Sequence, residues 1–252
     1  MTGHVTLRRL GAVGEILIDR PAKHNAITPA MFEEFAAVAH EVDSDDAIRC
    51  AVLAGAGERA FSAGTDVNTL KDYDGFWAWR NRVDYVTQVR NIRKPVVAAL
   101  KGWVLGGGLE LAVACDLRVA ATDAVFAAPE VTLGWIGAGG TSQFLPKLIG
   151  YGQAMRLLLT GERVSAAEAH RIGLVEELVA PGTELTRAHE LAERIAAFSP
   201  IATQAVKAAV RAGMNGSLEL GLRIENELMA LCFAAGNDRS GAEIFGRRKG
   251  PV

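Results

Sequence analysis

Two glutamates lie in apolar stretches beside residues that interrupt regular structure. Glu110 follows three glycines at residues 106–108, and Glu130 follows Pro129 in the run Phe-Ala-Ala-Pro-Glu-Val. Apolar surroundings disfavour the charged form of a carboxyl group and bring its pKa closer to neutrality, which suits proton transfer. The pair is therefore a candidate for general acid–base chemistry. The alternative is that each is an ordinary surface or salt-bridged glutamate.

The three glycines before Glu110 indicate a ligand site. The apolar run at residues 96–100 predicts a strand, and residues 109–115 predict a helix after the glycines. A backbone without Cβ atoms can approach a ligand closely, and the first turn of a helix offers free N–H groups. Such a segment can hold an oxygen atom that gains negative charge. It matches neither the dinucleotide pattern GxGxxG nor the phosphate-binding pattern GxxxxGK[ST].

Two further segments could contribute to a ligand site. The loop at residues 62–66, Ser-Ala-Gly-Thr-Asp, can offer backbone N–H groups, or it can be a plain loop with an aspartate helix cap. His24 follows a turn and could line a ligand channel. The five histidines lack metal-ligand spacing, so no metal site is predicted.

The order of predicted elements defines the fold class. Strands and helices alternate up to residue 180, after which only helices are predicted, with breaks at 199–200 and 213–216. This order indicates an α/β fold with a helical C-terminal part. Residues 69–92 are predicted to be helical and carry an aromatic group, Tyr73, Phe76, Trp77, Trp79 and Tyr85, which is more typical of packing than of a substrate pocket. Because Trp77 and Trp79 cannot share one helix face, one of them is expected to meet a ligand, a lid or a partner subunit.

Composition excludes some functional classes. The chain has 252 residues, is half hydrophobic and carries a formal net charge of −2, which argues against a nucleic-acid-binding surface. The basic cluster at 247–249 is interpreted as a solvated tail or a phosphate contact. Neither a membrane span nor a signal-peptide pattern is found, so no membrane partner and a cytoplasmic location are expected. The three cysteines, Cys50, Cys115 and Cys232, show no CxxC pattern and are expected to be buried and inert.

Five ordered motifs resemble those of the crotonase family, the enoyl-CoA hydratases and isomerases, over nearly the whole chain. They are Arg-Pro-Ala-Lys-His-Asn-Ala-Ile at 20–27, Phe-Ser-Ala-Gly-Thr-Asp-Val at 61–67, Gly-Trp-Val-Leu-Gly-Gly-Gly-Leu-Glu-Leu at 102–111, Ala-Pro-Glu with Leu-Gly at 128–134, and a block from Leu-Thr-Gly to Gly-Leu-Val at 159–175. The resemblance implies an α/β fold of the crotonase type, a ββα spiral at residues 1–195 with a helical C-terminal trimerisation region at 196–252. It also implies an acyl-CoA substrate, a homotrimer or a dimer of trimers, and no cofactor beyond the coenzyme A of the substrate.

The resemblance also implies roles for individual residues. The backbone N–H groups of Thr65 and Gly107 would form an oxyanion hole for the thioester oxygen, and the side chain at position 65 is expected to matter little there. Coenzyme A would run along the turn at 22–26 and the loop at 63–67. The residues expected to contact coenzyme A or the acyl group are Ala22, His24, Ala63, Gly64, Asp66, Val67 and Trp135.

Both glutamates match catalytic positions of the hydratase subgroup of this family. By that resemblance Glu130 would donate a proton to the α-carbon, and Glu110 would position and activate a water molecule. The prediction is therefore a hydratase that adds water across the 2,3 double bond of an acyl-CoA thioester. The alternatives are another reaction of the family, namely double-bond isomerisation, carnitinyl-type dehydration or thioester hydrolysis, and an acyl-CoA-binding protein without turnover. Residues 134–144 depart from the family pattern by the loss of a proline, a glycine and an arginine, which leaves the geometry near the water and the acyl group open.

Overall fold

The structure, a computed structural model, describes residues 3–236. The basic cluster at 247–249 lies outside the described residues. The strands are β1 (His4–Leu10), β2 (Val13–Asp19), β3 (Cys50–Gly55), β4 (Ala60–Ser62), β5 (Val96–Leu100), β6 (Trp103–Leu105), β7 (Leu117–Ala121), β8 (Val125–Ala127), β9 (Val164–Ser165) and β10 (Glu177–Val179). The helices are α1 (Pro29–Ser44), α2 (Gly75–Arg80), α3 (Tyr85–Asn91), α4 (Gly107–Ala114), α5 (Thr141–Ile149), α6 (Tyr151–Thr160), α7 (Ala166–Arg171), α8 (Glu184–Ala196), α9 (Pro200–Asn215) and α10 (Leu218–Ala234).

Six strands form the larger sheet, in the order β1-β2-β3-β5-β7-β10. The hairpin β1-β2 is antiparallel, and the remaining neighbours pair in parallel. Every residue of β3 and β5 is buried because helices cover both faces, as their unbroken apolar sequences require. The apolar side of α1 packs into the core on one face, and Ala188, Ala192 and Ala196 of α8 pack on the other.

A smaller sheet, with the order β4-β6-β8-β9, positions the loops of interest. Each of β4, β6 and β8 follows a strand of the larger sheet, and the three pair in parallel with one another. Their carboxyl ends therefore meet at one edge. Residues 63–66, 106–110 and 128–130 follow these ends, and the hydrogen bond from the Gly106 N–H to the Ala127 carbonyl (3.0 Å) ties the second segment to the end of β8.

Most of the predicted elements are confirmed, but two predictions were wrong. Residues 69–92 are not one helix: a 3-10 helix (Val67–Asp72) precedes α2 and α3. Gly75, which has φ +78°, begins α2. The Asp84 carboxylate accepts the N–H groups of Val86 and Thr87 and so caps the start of α3. In addition, α4 begins at Gly107, inside the glycine run, rather than at residue 109.

The helical C-terminal part and the burial of two cysteines agree with the sequence predictions. The helices after residue 180 are confirmed as far as residue 236, with the break at Ser199 and Pro200. Cys50 and Cys115 are buried as expected, whereas Cys232 is only half-buried because it lies on α10, which has little of the protein packed against it. None of the helices in the described part of the chain is long and apolar enough to cross a membrane. The division of the chain into a core at residues 1–195 and a C-terminal region at 196–252 stays a prediction.

Candidate active site

Glu110 lies in the first turn of α4 with only 5% of its surface exposed. Its Oε1 accepts a hydrogen bond from the Gly139 N–H at 2.6 Å, and the Thr141 hydroxyl lies 3.5 Å from the same oxygen. Burial raises the pKa of this carboxyl group, and the nearby charge of Glu130 raises it further, whereas the hydrogen bond from the Gly139 N–H lowers it. Glu110 is thus a buried carboxyl group that can hold a proton more readily than an exposed one.

Glu130 approaches the same end of α4 from a separate segment. It lies in a 3-10 helix (Pro129–Leu133) and is half-buried. A Cβ atom placed on Gly106, the N-cap of α4, would lie 3.3 Å from Glu130 Oε1, and Gly106 has φ +53°, where side chains are disfavoured. Burial raises the pKa of Glu130 as well. The structure therefore brings both predicted glutamates to the N-terminal end of one helix.

The backbone amides of Thr65 and Gly107 lie on two adjoining segments. A Cβ atom on Gly64 would lie 2.5 Å from the Gly107 nitrogen, so the segments touch and only glycine fits at position 64. The Ile27 N–H donates to the Gly64 carbonyl at 2.8 Å, and the Asp66 N–H donates to the Ile27 carbonyl at 2.9 Å. These bonds fix the loop on both sides of Thr65. Within residues 3–236, no acceptor is found for the N–H of Thr65 or of Gly107.

The turn at 22–26 lies against the loop at 63–67, as expected for a shared binding surface. The Ala63 N–H donates to the His24 carbonyl at 2.9 Å, and Asn25 ties the turn to the carbonyls of Ala56 and Ala60 (both 2.9 Å). His24 itself has φ +51°, and its buried Nδ1 has no partner within the described chain. Ala22 lies exposed beside it.

Asp66 and its neighbours differ in how free they are to bind a ligand. The Asp66 carboxylate pairs with Arg20 at 2.8 Å and caps the Asn68 N–H, and Arg20 holds the pKa of Asp66 below its usual value. Its side chain is therefore engaged within the protein, whereas Val67 is 51% exposed. Asn25, which no chemical pattern singles out, is the buried residue that fixes this part of the surface.

The altered loop at 134–144 contacts both glutamates. The Trp135 N–H donates to the Glu130 carbonyl at 3.0 Å, and the Trp135 side chain is 46% exposed. A Cβ atom on Gly137 would lie 2.7 Å from Glu110 Oε1, and one on Gly139 would lie 2.7 Å from Glu110 Oε2. The two glycines therefore leave the space that the Glu110 carboxylate occupies.

Among the aromatic residues of 73–85, Tyr85 reaches the site, and no sequence pattern points to it. Its hydroxyl lies 3.1 Å from Thr65 Oγ1, and its ring is buried. Trp77 is 67% exposed, whereas Trp79 stacks edge-on against Tyr73 and beneath Arg82. In the part of the chain that the structure covers, no group of three acidic, histidine or cysteine side chains is arranged to hold a metal ion.

Fold and site together define an acyl-CoA enzyme scaffold of the crotonase type. The family model for enoyl-CoA hydratase/isomerase matches residues 8–251, and the chain belongs to that family. A probable enoyl-CoA hydratase of Rhizobium meliloti is 40% identical over 241 residues, covering 93% of this chain and 91% of the relative. The short-chain-enoyl-CoA hydratase of Clostridium acetobutylicum is 34% identical over 247 residues (96% and 94%). The crystal structure of an enoyl-CoA hydratase from Bacillus anthracis has a TM-score of 0.89 at 33% identity, covering 98% of both chains, which confirms the predicted fold.

Proposed function

We propose that this chain is an enoyl-CoA hydratase, which adds water across the 2,3 double bond of an acyl-CoA thioester. The observation that carries the proposal is the convergence of two carboxyl groups with raised pKa values, Glu110 and Glu130, on the N-terminal end of α4. Membership of the enoyl-CoA hydratase/isomerase family, with relatives named as hydratases, supports the same reaction.

The thioester oxygen is held by the N–H groups of Thr65 and Gly107. These amides lie on touching segments and have no acceptor within residues 3–236, so a ligand oxygen can accept from both. As water attacks the β-carbon, negative charge develops on this oxygen, and fixed amides stabilise it without reorganisation. Removal of one such donor typically raises the barrier by about 3 kcal/mol.

The two glutamates divide the proton transfers. The Glu110 carboxylate takes a proton from the attacking water, whose oxygen bonds to the β-carbon. Glu130 in its protonated form gives a proton to the α-carbon, where the enolate electrons form the new C–H bond. Water thereby adds completely, and the proton now on Glu110 returns to Glu130 by exchange with solvent. The presence of both carboxyl groups favours hydration over isomerisation, because related isomerases commonly keep only the second.

The remaining parts of the proposal concern coenzyme A and location. The coenzyme A portion of the substrate lies along the turn at 22–26 and the loop at 63–67, where Ala22 and Val67 are exposed. Acid–base chemistry with an oxyanion site needs no cofactor beyond the substrate's own coenzyme A. We place the protein in the cytoplasm, because its cysteines show no disulfide pattern, as is usual in a reducing compartment.

The test is the loss of enoyl-thioester absorbance when crotonyl-CoA is hydrated. Glu110→Gln and Glu130→Gln keep side-chain shape and remove the acid–base function, and we expect each to lower kcat by roughly 10²-fold or more. Glu33→Gln, at an exposed position on α1, is the matched control. The proposal fails if the wild type hydrates no member of a panel of short, long, branched and aromatic enoyl-CoAs. Losses of tenfold or less in both glutamine variants would argue against the paired roles.

A homotrimer or a dimer of trimers is part of the proposal. Exposed apolar side chains crowd α9 and α10, namely Ile201, Val206, Val210, Met214, Leu218, Leu220, Leu222, Met229, Leu231 and Phe233. Apolar surface of this extent usually marks an interface between proteins. Light scattering should give three or six times the 26.7 kDa chain mass. A single-chain mass at micromolar concentration would refute this part.

A further inference from the structure

A buried hydroxyl group approaches the two candidate amides from inside the protein. Tyr85, at the start of α3, is 3% exposed, and its ring packs on Phe32 and Phe35 with centroids 4.9 and 5.7 Å away. A phenylalanine could fill the same apolar space. What distinguishes the tyrosine is its hydroxyl, which meets Thr65 Oγ1 at 3.1 Å.

The hydroxyl of Tyr85 lies directly over Gly107. A Cβ atom at position 107 would lie 1.9 Å from the Tyr85 oxygen, closer than any side chain could tolerate. The tyrosine therefore contacts the residue that carries one candidate amide and hydrogen-bonds the residue that carries the other.

The hydroxyl groups of Thr65 and Tyr85 offer one more O–H donor than the hydrogen bond between them uses. Thr65 and Tyr85 carry two O–H groups, and a single hydrogen bond joins them. Neither oxygen has a second partner in the described chain. Burial raises the pKa of Tyr85 far above its usual value, so the phenol stays protonated and neutral at any assay pH. The enclosed Tyr85 O–H has Thr65 Oγ1 as its one acceptor within the described chain, so it donates there, and the O–H of the half-exposed Thr65 is left for a ligand oxygen.

We propose that the Thr65 hydroxyl is a third hydrogen-bond donor to the thioester oxygen, held in that orientation by the Tyr85 hydroxyl, which donates to Thr65 Oγ1. This inference rests on the proposed function. Thr65 is the half-exposed member of the pair and carries one of the amides, so its O–H can reach the oxygen that its N–H binds. Tyr85 acts through Thr65 and is a positioning residue. The side chain at position 65, expected from the sequence to matter little, then contributes to catalysis.

The proposal is tested with hydroxyl deletions that keep side-chain shape. Thr65→Val and Tyr85→Phe each remove one member of the pair, Thr65→Ser retains the hydroxyl, and Tyr151→Phe is the control at a 73%-exposed tyrosine. One assay is crotonyl-CoA hydration, with kcat and KM resolved. The other is the near-ultraviolet absorbance of acetoacetyl-CoA bound to the protein, which reports how much of the ligand is held as its enolate and needs no turnover.

We expect Thr65→Val to lower kcat by roughly tenfold, in line with a hydrogen bond to a charged oxygen, with KM changed by less than about twofold. Tyr85→Phe should lower kcat by roughly three- to tenfold, and the double variant should be no slower than Thr65→Val because the two hydroxyls act as a unit. Thr65→Ser should retain most of the activity, and the enolate absorbance should fall in the same order as kcat.

Two results would overturn the proposal. One is enolate absorbance within twofold of wild type in both Thr65→Val and Tyr85→Phe. The other is a loss confined to KM and thermal stability, which would indicate a structural role. If the wild type hydrates no enoyl-CoA, the proposed function fails, and the enolate absorbance of wild type against Thr65→Val still decides the role of the hydroxyl.

Discussion

Replacing Gly139 with alanine should slow hydration by displacing the Glu110 carboxylate. The Gly139 N–H donates to Glu110 Oε1 at 2.6 Å, so this glycine holds the carboxylate from the altered loop. An added Cβ atom would lie 2.7 Å from Glu110 Oε2 and 2.7 Å from Val86 Cγ2. Ordinary contacts begin near 3.4 Å, so the carboxylate or the loop must move by about 0.7 Å.

We expect the Glu110 carboxylate to move and Val86, in the core, to stay in place. Val86 is 1% exposed and packs in the main hydrophobic core, where side chains have little room to shift. A misplacement of about 1 Å in an active site can slow a reaction by about 10²-fold. We therefore expect kcat to fall by roughly 10- to 100-fold. KM should change little, because the turn at 22–26 and the loop at 63–67, which are proposed to bind coenzyme A, are separate from the Gly139 loop.

The measurement is crotonyl-CoA hydration by Gly139→Ala beside Gly152→Ala, whose added Cβ would meet nothing within 4 Å. Thermal unfolding of both variants controls for loss of the folded state. If the alanine acts through Glu110, the double variant with Glu110→Gln should be no slower than Glu110→Gln alone. A kcat within twofold of wild type, or full additivity in the double variant, would refute this reasoning.

Three further outcomes follow from the raised pKa values. Burial raises the pKa of Glu110, so above the ordinary carboxyl pKa the folded protein binds more protons than the unfolded chain, and its stability falls as pH rises. Glu110→Gln should therefore raise the melting temperature at pH 7 and lose this advantage below about pH 4. Because Glu130 must be protonated to act, kcat/KM should decline as pH rises through its raised pKa, which a pH–rate profile would reveal, and a flat profile would count against its role as the acid. Burial raises the pKa of Cys50 and Cys115 to about 12, so a thiol reagent at pH 8 should label at most the half-buried Cys232 in the native protein and all three cysteines in denaturant.

The parallel strands were predictable because their physical signal is strong. Runs such as residues 96–100 are apolar throughout, since helices cover both faces of the larger sheet. The three-residue strands β4 and β6 were not predicted, because so short a segment shows no periodicity. The break of 69–92 into separate helices depends on Gly75 and Asp84, whose local effects an extended helical pattern conceals.

The site was predictable only where its chemistry resides in side-chain type. Glu110 and Glu130 attract attention because carboxyl groups beside glycine and proline in apolar stretches are uncommon. The hydrogen bond from Gly139 comes from a backbone amide, which has no signature in the sequence. Tyr85 reaches Thr65 because α3 packs near α4, and nothing local to the aromatic stretch specifies that contact.

Gly107 and Gly139 show why this site depends on missing side chains as much as on those present. Neither glycine has a positive φ, so an alanine would fit the backbone conformation at both positions. At 107 the Tyr85 hydroxyl excludes a Cβ atom, and at 139 the Glu110 carboxylate does so together with Val86 Cγ2. Each polar group occupies the space where a side chain would begin, and from there the Glu110 carboxylate accepts the Gly139 N–H and the Tyr85 hydroxyl meets Thr65 Oγ1. The glycine-rich segments therefore bring hydroxyl, carboxylate and amide groups together in a volume that ordinary side chains would fill with carbon.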